Sequence, residues 1–341
     1  MSEKNEFLSK KVLMIIGITW LTILLIGLIL YFAGLNEAFY SDNSTVQTVF
    51  NVITYLGDPI VLIIVVAILY LAYNKKFAKN LTLSLLISYY TMEMVKEIIQ
   101  DPRPAENIDP AEDYGVIEPN YGFPSGHAQN SAVFWGYIGN NFKNKYKYND
   151  IPIIPVILSG LIFLVAISRT IIGVHDLQDM IGGLLIGIGM LLLYIYLEPI
   201  LTEKFNKLSF IAKIIITVVV SVALFLVGTF IFPMAGLGLA ISPTPAPYSD
   251  GGAFGLVGGV LLGFGVGYLL ENEYVKYDPS QLSNKKKVLN VIIGLVIVLA
   301  IFILLDYLLE INSVFYRFSR YAILAFVLAY VIPLICTKIN K

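Results

Sequence analysis

Apolar residues run along this chain in blocks long enough to cross a lipid bilayer, separated by short polar stretches that carry most of its lysines. A helical crossing needs about 20 mostly apolar residues at a rise of about 1.5 Å each. The pattern predicts ten such helices, over residues 11–33, 57–73, 78–95, 126–142, 152–169, 177–197, 210–231, 252–270, 287–308 and 319–336. The segment 44–56 (STVQTVFNVITYL) is apolar but too short to cross after the loop before it, and reads as a surface or re-entrant helix. The first block follows Lys10 and Lys11, is long and lacks a small-residue cleavage site. It reads as a retained anchor rather than a signal peptide.

Composition agrees with this pattern. The 341 residues are 57% hydrophobic and 14% charged, against about 45–50% and about 25% in soluble domains. An aqueous core cannot bury that excess, so the chain is expected to be an all-α integral membrane protein. A net charge of −1 gives no global field to attract nucleic acid. Cys336 is the only cysteine, which excludes an intrachain disulfide.

The basic residues orient the helices. With the N-terminus in the cytoplasm and sides alternating, the cytoplasmic connections receive 18 of the 23 lysines and arginines. The other side keeps Lys96, Arg103, Arg169, Arg317 and Arg320. Positive charge is retained on the cytoplasmic side of membranes, so both termini are expected there, with the cell membrane as the location. Arg317 and Arg320 lie in no motif and are not assigned to catalysis.

Gly251, Gly255, Gly259, Gly263 and Gly267 recur every four residues, a small-residue stripe that lets two helices approach closely. Packing within the chain is the simplest use of it; a homodimer contact or a gap for a lipid tail are the alternatives. The run from Pro243 to Pro247 reads as a stiff extended linker on the outer side.

Three short polar segments gather where helices end on that same side. Lys96 is followed, after six residues, by Arg103 and Pro104; Pro124-Ser125-Gly126-His127 opens the fourth helix; Ser168-Arg169, His175 and Asp179 link the fifth to the sixth. His175 and Asp179 are four apart and share a helix face. A carboxylate there can hold one imidazole nitrogen protonated and leave the other as a lone-pair nucleophile. The helix start at Gly126 presents free N–H groups to an anion, and glycine permits its close approach. Lys96, Arg103 and Arg169 add three positive charges. Phosphoryl transfer depends on positioning and on neutralising charge on the equatorial oxygens, which such a cluster supplies. His127 is then available to protonate a leaving oxygen. Singly, each of these residues would be read as a polar anchor at the membrane interface. The acidic stretch from Glu106 to Glu118 reads as a solvated loop.

The pattern Lys-x6-Arg-Pro, Pro-Ser-Gly-His, Ser-Arg-x5-His-x3-Asp resembles that of the type 2 phosphatidic acid phosphatases, also called lipid phosphate phosphatases. All eleven specified positions match in order, from Lys96 to Asp179. The resemblance implies a six-helix phosphatase core over residues 1–205, leaving 206–341 as a C-terminal membrane extension of about four helices. It implies that His175 attacks phosphorus to form a phosphohistidine, that Asp179 orients it, and that His127 is the acid for the leaving alcohol. Lys96, Arg103, Ser125, Gly126 and Arg169 would bind phosphate oxygens, with Pro104, Pro124 and Ser168 in support. No metal or other cofactor is implied. The expected partner is a phosphorylated lipid, since the catalytic helix ends lie at head-group level. A phosphotransferase using the same site, a vanadate-dependent haloperoxidase, and a lipid transporter built on a phosphatase-like core are the alternatives.

Overall fold

The computed structural model describes Met14, Ile18 and residues 39–104, 120–232, 253–307 and 313–340. The predicted first span, except Met14 and Ile18, lies outside the described residues, as do the acidic loop and the proline run at 243–247. Among the described residues the chain is helical: α1 (Ser44–Thr54), α2 (Pro59–Ala72), α3 (Lys75–Ile99), α4 (Gly126–Phe142), α5 (Ile153–Ile171), α6 (Leu177–Asn206), α7 (Phe210–Phe230), α8 (Ala253–Leu270), α9 (Asn284–Tyr307), α10 (Val314–Phe326) and α11 (Ile332–Ile339). A π-helical turn, Glu271–Val275, extends α8, and another, Val327–Val331, joins α10 to α11. The only strands among the described residues are Lys147–Tyr148 and Ile151–Pro152, paired across Asn149 and Asp150. Both turn residues have positive φ (46° and 65°), as a tight hairpin requires.

The chain is an all-α integral membrane protein. Among the described residues six helices are long and apolar enough to cross a bilayer unaided: Ile153–Ile171, Leu177–Asn206, Phe210–Phe230, Ala253–Val275, Asn284–Leu305 and Val314–Ile339. A seventh is reached if Ser44–Gly57 and Pro59–Ala72 count as one broken span. Three of the predicted spans are helices that fall short of this standard, each for a physical reason. α2 has 14 residues, about 21 Å at about 1.5 Å each, below the about 30 Å of a hydrocarbon core. α4 has 17 residues and buries Gln129, Asn130 and Ser131. α3 is long, with 25 residues, but buries Asn80, Ser84, Ser88, Glu93 and Lys96 among its polar positions.

By internal contacts the chain divides into two units. The first comprises Met1–Gly57, Pro102–Glu118 and Gly122–Leu191; the second comprises Asp58–Asp101, Pro119–Tyr121 and Leu192–Lys341.

In the first unit α1, α4, α5 and the leading half of α6 pack together. Asn43 starts α1 by accepting hydrogen bonds from the Thr45 and Val46 N–H groups at 3.0 and 3.1 Å. Ala128 and Ala132 of α4, Ile162 and Ala166 of α5, and Leu177, Met180 and Leu184 of α6 form the apolar core. α6 meets the start of α4 through glycines. A Cβ at Gly183 would stand 2.5 Å from the Ser125 carbonyl oxygen, and one at Gly187 2.6 Å from that of Gln129. Only glycine allows this approach, which sets the Pro-Ser-Gly-His segment against the beginning of α6.

In the second unit the glycine stripe finds its partner within the chain. Gly251 lies outside the described residues; Gly255, Gly259, Gly263 and Gly267 face Val314, Phe318, Ala322, Phe326 and Ala329, where a Cβ would fit tightly at Gly255 and collide at the other three. An ion pair, Lys75 Nζ to the buried Glu271 Oε2 at 2.6 Å, joins α3 to the π-helical turn after α8. Glu271 also accepts the Tyr277 N–H at 2.6 Å, and Asn290 donates to the Tyr277 hydroxyl at 2.9 Å. Each carboxylate oxygen of Glu271 thus has a partner.

Candidate active site

The site is built where α5 ends and α6 begins. Arg169 lies in the last turn of α5. The chain then folds back so that the Val174 and His175 N–H groups both donate to the Arg169 carbonyl, each at 3.2 Å. Gly173 adopts φ 82°, a left-handed conformation that glycine permits without strain. Asp176 starts α6, accepting the Asp179 N–H on Oδ1 at 2.9 Å. This tight link delivers His175 beside the first turn of α6 and places Asp179 in it.

His175 and Asp179 are both buried, 2% and 0% exposed. His175 Nδ1 lies 2.8 Å from Asp179 Oδ2, as their four-residue spacing predicts. On the other side of the ring, Arg103 Nη1 lies 2.9 Å from His175 Nε2 and donates to the Val174 carbonyl at 2.7 Å. A guanidinium has donors only, so Nε2 must accept. The imidazole is thus the tautomer with Nδ1–H directed at the carboxylate and a lone pair on Nε2.

The Pro-Ser-Gly-His segment is tied to the same place. The Ser125 N–H donates to the Asp179 carbonyl at 2.9 Å. Ser125 occupies the N-cap of α4, yet its hydroxyl makes no capping bond. It is completely buried and its Oγ has no partner among the described residues. An unengaged buried hydroxyl at a helix start is suited to an incoming anion. Gly126 is the first residue of α4 and His127 the second, half-buried on its first turn. Ser168 is buried, and its hydroxyl donates back to the Val165 carbonyl at 2.7 Å, inside α5. Pro124 is buried and Pro104 half-buried.

Arg169, 1% exposed, donates from Nη1 to the Thr54 hydroxyl at 3.0 Å. Thr54 lies 115 residues away at the end of α1, and no spacing rule connects the two.

Ten of the eleven motif residues thus belong to the first unit, and the bonds described gather His175, Asp179, Arg103, Arg169 and Ser125 around the α5–α6 link. Lys96 belongs to the second unit, where its ammonium donates to the Tyr121 carbonyl and is 1% exposed. Arg317 and Arg320, also in the second unit, lie over the Tyr321 ring at 5.9 and 5.1 Å. Among the described residues no three His, Cys, Asp or Glu side chains gather as a metal site.

Comparison with known proteins bears on this arrangement. A family profile described as "PAP2 superfamily" matches residues 77–203, and one described as "PAP2 superfamily phosphatase, transmembrane extension" matches residues 256–341. Lipid phosphate phosphatase delta of Arabidopsis thaliana is 26% identical over 188 residues, which cover 52% of this chain and 43% of that protein. The chain therefore spans less than half the length of that relative. No solved structure matches.

Proposed function

Because this chain belongs to the PAP2 superfamily, we propose that it is a membrane lipid phosphatase, hydrolysing a lipid phosphomonoester or a polyprenyl diphosphate through a phosphohistidine. The relative's name, lipid phosphate phosphatase, supports the substrate class. The observation that carries the mechanism is the hydrogen-bonded chain Arg103–His175–Asp179, at 2.9 and 2.8 Å, which leaves a lone pair on Nε2.

In the first half-reaction His175 Nε2 attacks phosphorus while the bond from phosphorus to the lipid oxygen breaks. His127 gives its proton to that oxygen, and Asp179 stabilises the imidazolium that forms. In the second, His127 takes a proton from water, whose oxygen attacks the phosphohistidine and returns His175 Nε2 to its free state with release of phosphate. Arg103 and Arg169 bear on the equatorial oxygens as charge develops. Ser125 Oγ and the N–H groups at Gly126 add hydrogen bonds. Lys96, by its place in the motif, supplies a further positive charge. These cations take the part a metal ion would otherwise play, so the reaction is proposed to be metal-independent. The substrate is met at the extracytoplasmic face, where the basic-residue count puts the motifs. The core would run to residue 205 and the extension from 206, in line with one profile match that ends at 203 and a second that begins at 256.

The test is phosphate release by the purified protein across a panel of phospholipids and prenyl diphosphates. Release with no acceptor lipid present supports a hydrolase. Transfer to an added lipid alcohol with no free phosphate would establish the phosphotransferase reading instead.

A further inference from the structure

The PAP2 profile begins at residue 77, yet a segment well before it reaches the site. α1 and the turn Tyr55–Gly57 lie in the first unit. Gln47, wholly buried, donates to the Ser41 and Ile171 carbonyls at 2.6 and 3.1 Å, and the Ser41 N–H donates to the same Ile171 carbonyl at 3.2 Å. These bonds fasten α1 to the end of α5, two residues beyond Arg169. The Trp135 indole donates to the Leu56 carbonyl at 3.0 Å and fastens the turn to α4. Between the two clamps, Thr54 Oγ1 accepts from Arg169 Nη1 at 3.0 Å. Thr54 is 6% exposed and Arg169 1%.

We infer that Thr54 is a positioning residue for phosphate recognition, orienting the Arg169 guanidinium without reducing its charge. The inference rests on the phosphatase reading. A guanidinium binds phosphate oxygens as a planar fork, so the angle of that plane decides whether two N–H groups reach the anion together. Fixing one Nη sets the angle. The chemistry of the acceptor is the telling feature. A carboxylate would hold the guanidinium more firmly, but its negative charge would cancel the attraction for phosphate and repel the anion itself. A hydroxyl is a neutral acceptor, so this bond takes nothing from the positive charge that Arg169 brings to the substrate. An arginine held only for packing would be served as well or better by an acidic partner.

The experiment compares Thr54→Ser, Thr54→Val and Thr54→Asp in the full chain. It measures vanadate affinity by calorimetry, KM and kcat on a short-chain phosphatidic acid, and thermal unfolding. A hydrogen bond to a charged group corresponds to roughly ten-fold or more in binding. Thr54→Ser should stay within about two-fold of the parent in every measure, because the acceptor is kept. Thr54→Val should bind vanadate roughly ten-fold more weakly and raise KM more than it lowers kcat. Thr54→Asp should lose more than Thr54→Val although it unfolds at no lower temperature, an outcome that a purely structural role does not give. Thr54→Val and Thr54→Asp proteins that bind vanadate and turn over like the parent would overturn the inference while leaving the phosphatase reading intact. A parent that neither binds vanadate nor releases phosphate from any lipid would overturn the phosphatase reading, and the inference with it.

Discussion

Arg103 Nη1 stands 2.9 Å from His175 Nε2, the nitrogen on the far side of the ring from Asp179. The contact has two consequences. It fixes the tautomer, because a guanidinium only donates. In the proposed mechanism, it also means that Arg103 occupies the lone pair His175 would use and must turn toward phosphate oxygen before the attack. Arg103 keeps its bond to the Val174 carbonyl at 2.7 Å, so the guanidinium can pivot without losing its anchor.

The division of labour between the two histidines leads to the first expectation. His175→Ala should abolish turnover. His127→Ala should still accept phosphoryl from substrates with good leaving groups and then accumulate phosphoenzyme, since a positioned acid–base group contributes about 10²–10⁴-fold. Acid-labile radiolabel should appear on the His127→Ala protein and be absent from the His175→Ala protein. Label on another residue would remove His175 from the role of nucleophile.

The proposed role of the motif cations in place of a metal leads to the second. Activity should persist in EDTA and be blocked by vanadate, which takes the five-coordinate geometry of phosphoryl transfer. Activity lost in EDTA and restored by Mg²⁺ or Mn²⁺ would argue against the mechanism. Arg169→Lys should lose at least ten-fold in kcat/KM, because a point charge does not replace a two-pronged donor held by Thr54.

Much of this site was legible in the chain because its parts are local. The four-residue step from His175 to Asp179 fixes a shared face, and Ser-Gly-His does open a helix, whose free N–H groups suit an anion. The same holds for α5 and for α7 to α9, where long apolar blocks become helices within a few residues of their expected bounds; α6 runs on past the expected 197 to Asn206, and the last block, expected over 319–336, is α10, a π-helical turn and α11 over 314–339. Two things were not legible. The polar residues of α3 are buried against protein rather than lipid, so its sequence resembles a span without being apolar enough to be one unaided. The partnership of Thr54 with Arg169, and of Gly57 with His127, arises only when distant segments pack, and neither leaves a local pattern. The glycine stripe announced a close helix pair but not its partner, which is α10 and the turn after it.

Gly57 gives the third expectation. A Cβ there would stand 2.6 Å from Val165 Cγ1, 2.7 Å from Ser131 Oγ and 3.2 Å from His127 Cδ2. Gly57→Ala should therefore displace the His127 ring, while Arg103, His175 and Asp179 keep their mutual bonds. Loss of a well-placed general acid matters most for poor leaving groups. The variant should lose about ten-fold or more in kcat on an alkyl phosphate and much less on p-nitrophenyl phosphate. Equal loss on both would mean that Gly57 serves packing alone.

The fourth expectation concerns the side of the membrane on which phosphate is released. With both termini in the cytoplasm, 18 of 23 basic residues fall on the motif-free side; the five opposite include three from the motifs themselves. A reversed orientation would put that excess outside, against the rule that keeps lysine and arginine in cytoplasmic loops. The chain suits a labelling test, because its one thiol, Cys336, is fully buried. With Cys336 replaced by Ser, single cysteines are introduced at Asn107, in the connection after Arg103, and separately at Asn144, which is exposed in the connection between α4 and α5. A membrane-impermeant maleimide applied to intact cells should label the first and spare the second until the membrane is opened. The reverse pattern would move phosphate release into the cytoplasm. Equal labelling of both would show that the chain between α3 and α5 does not cross the bilayer, which would rule out α4, with its 17 residues and buried amides, as a span.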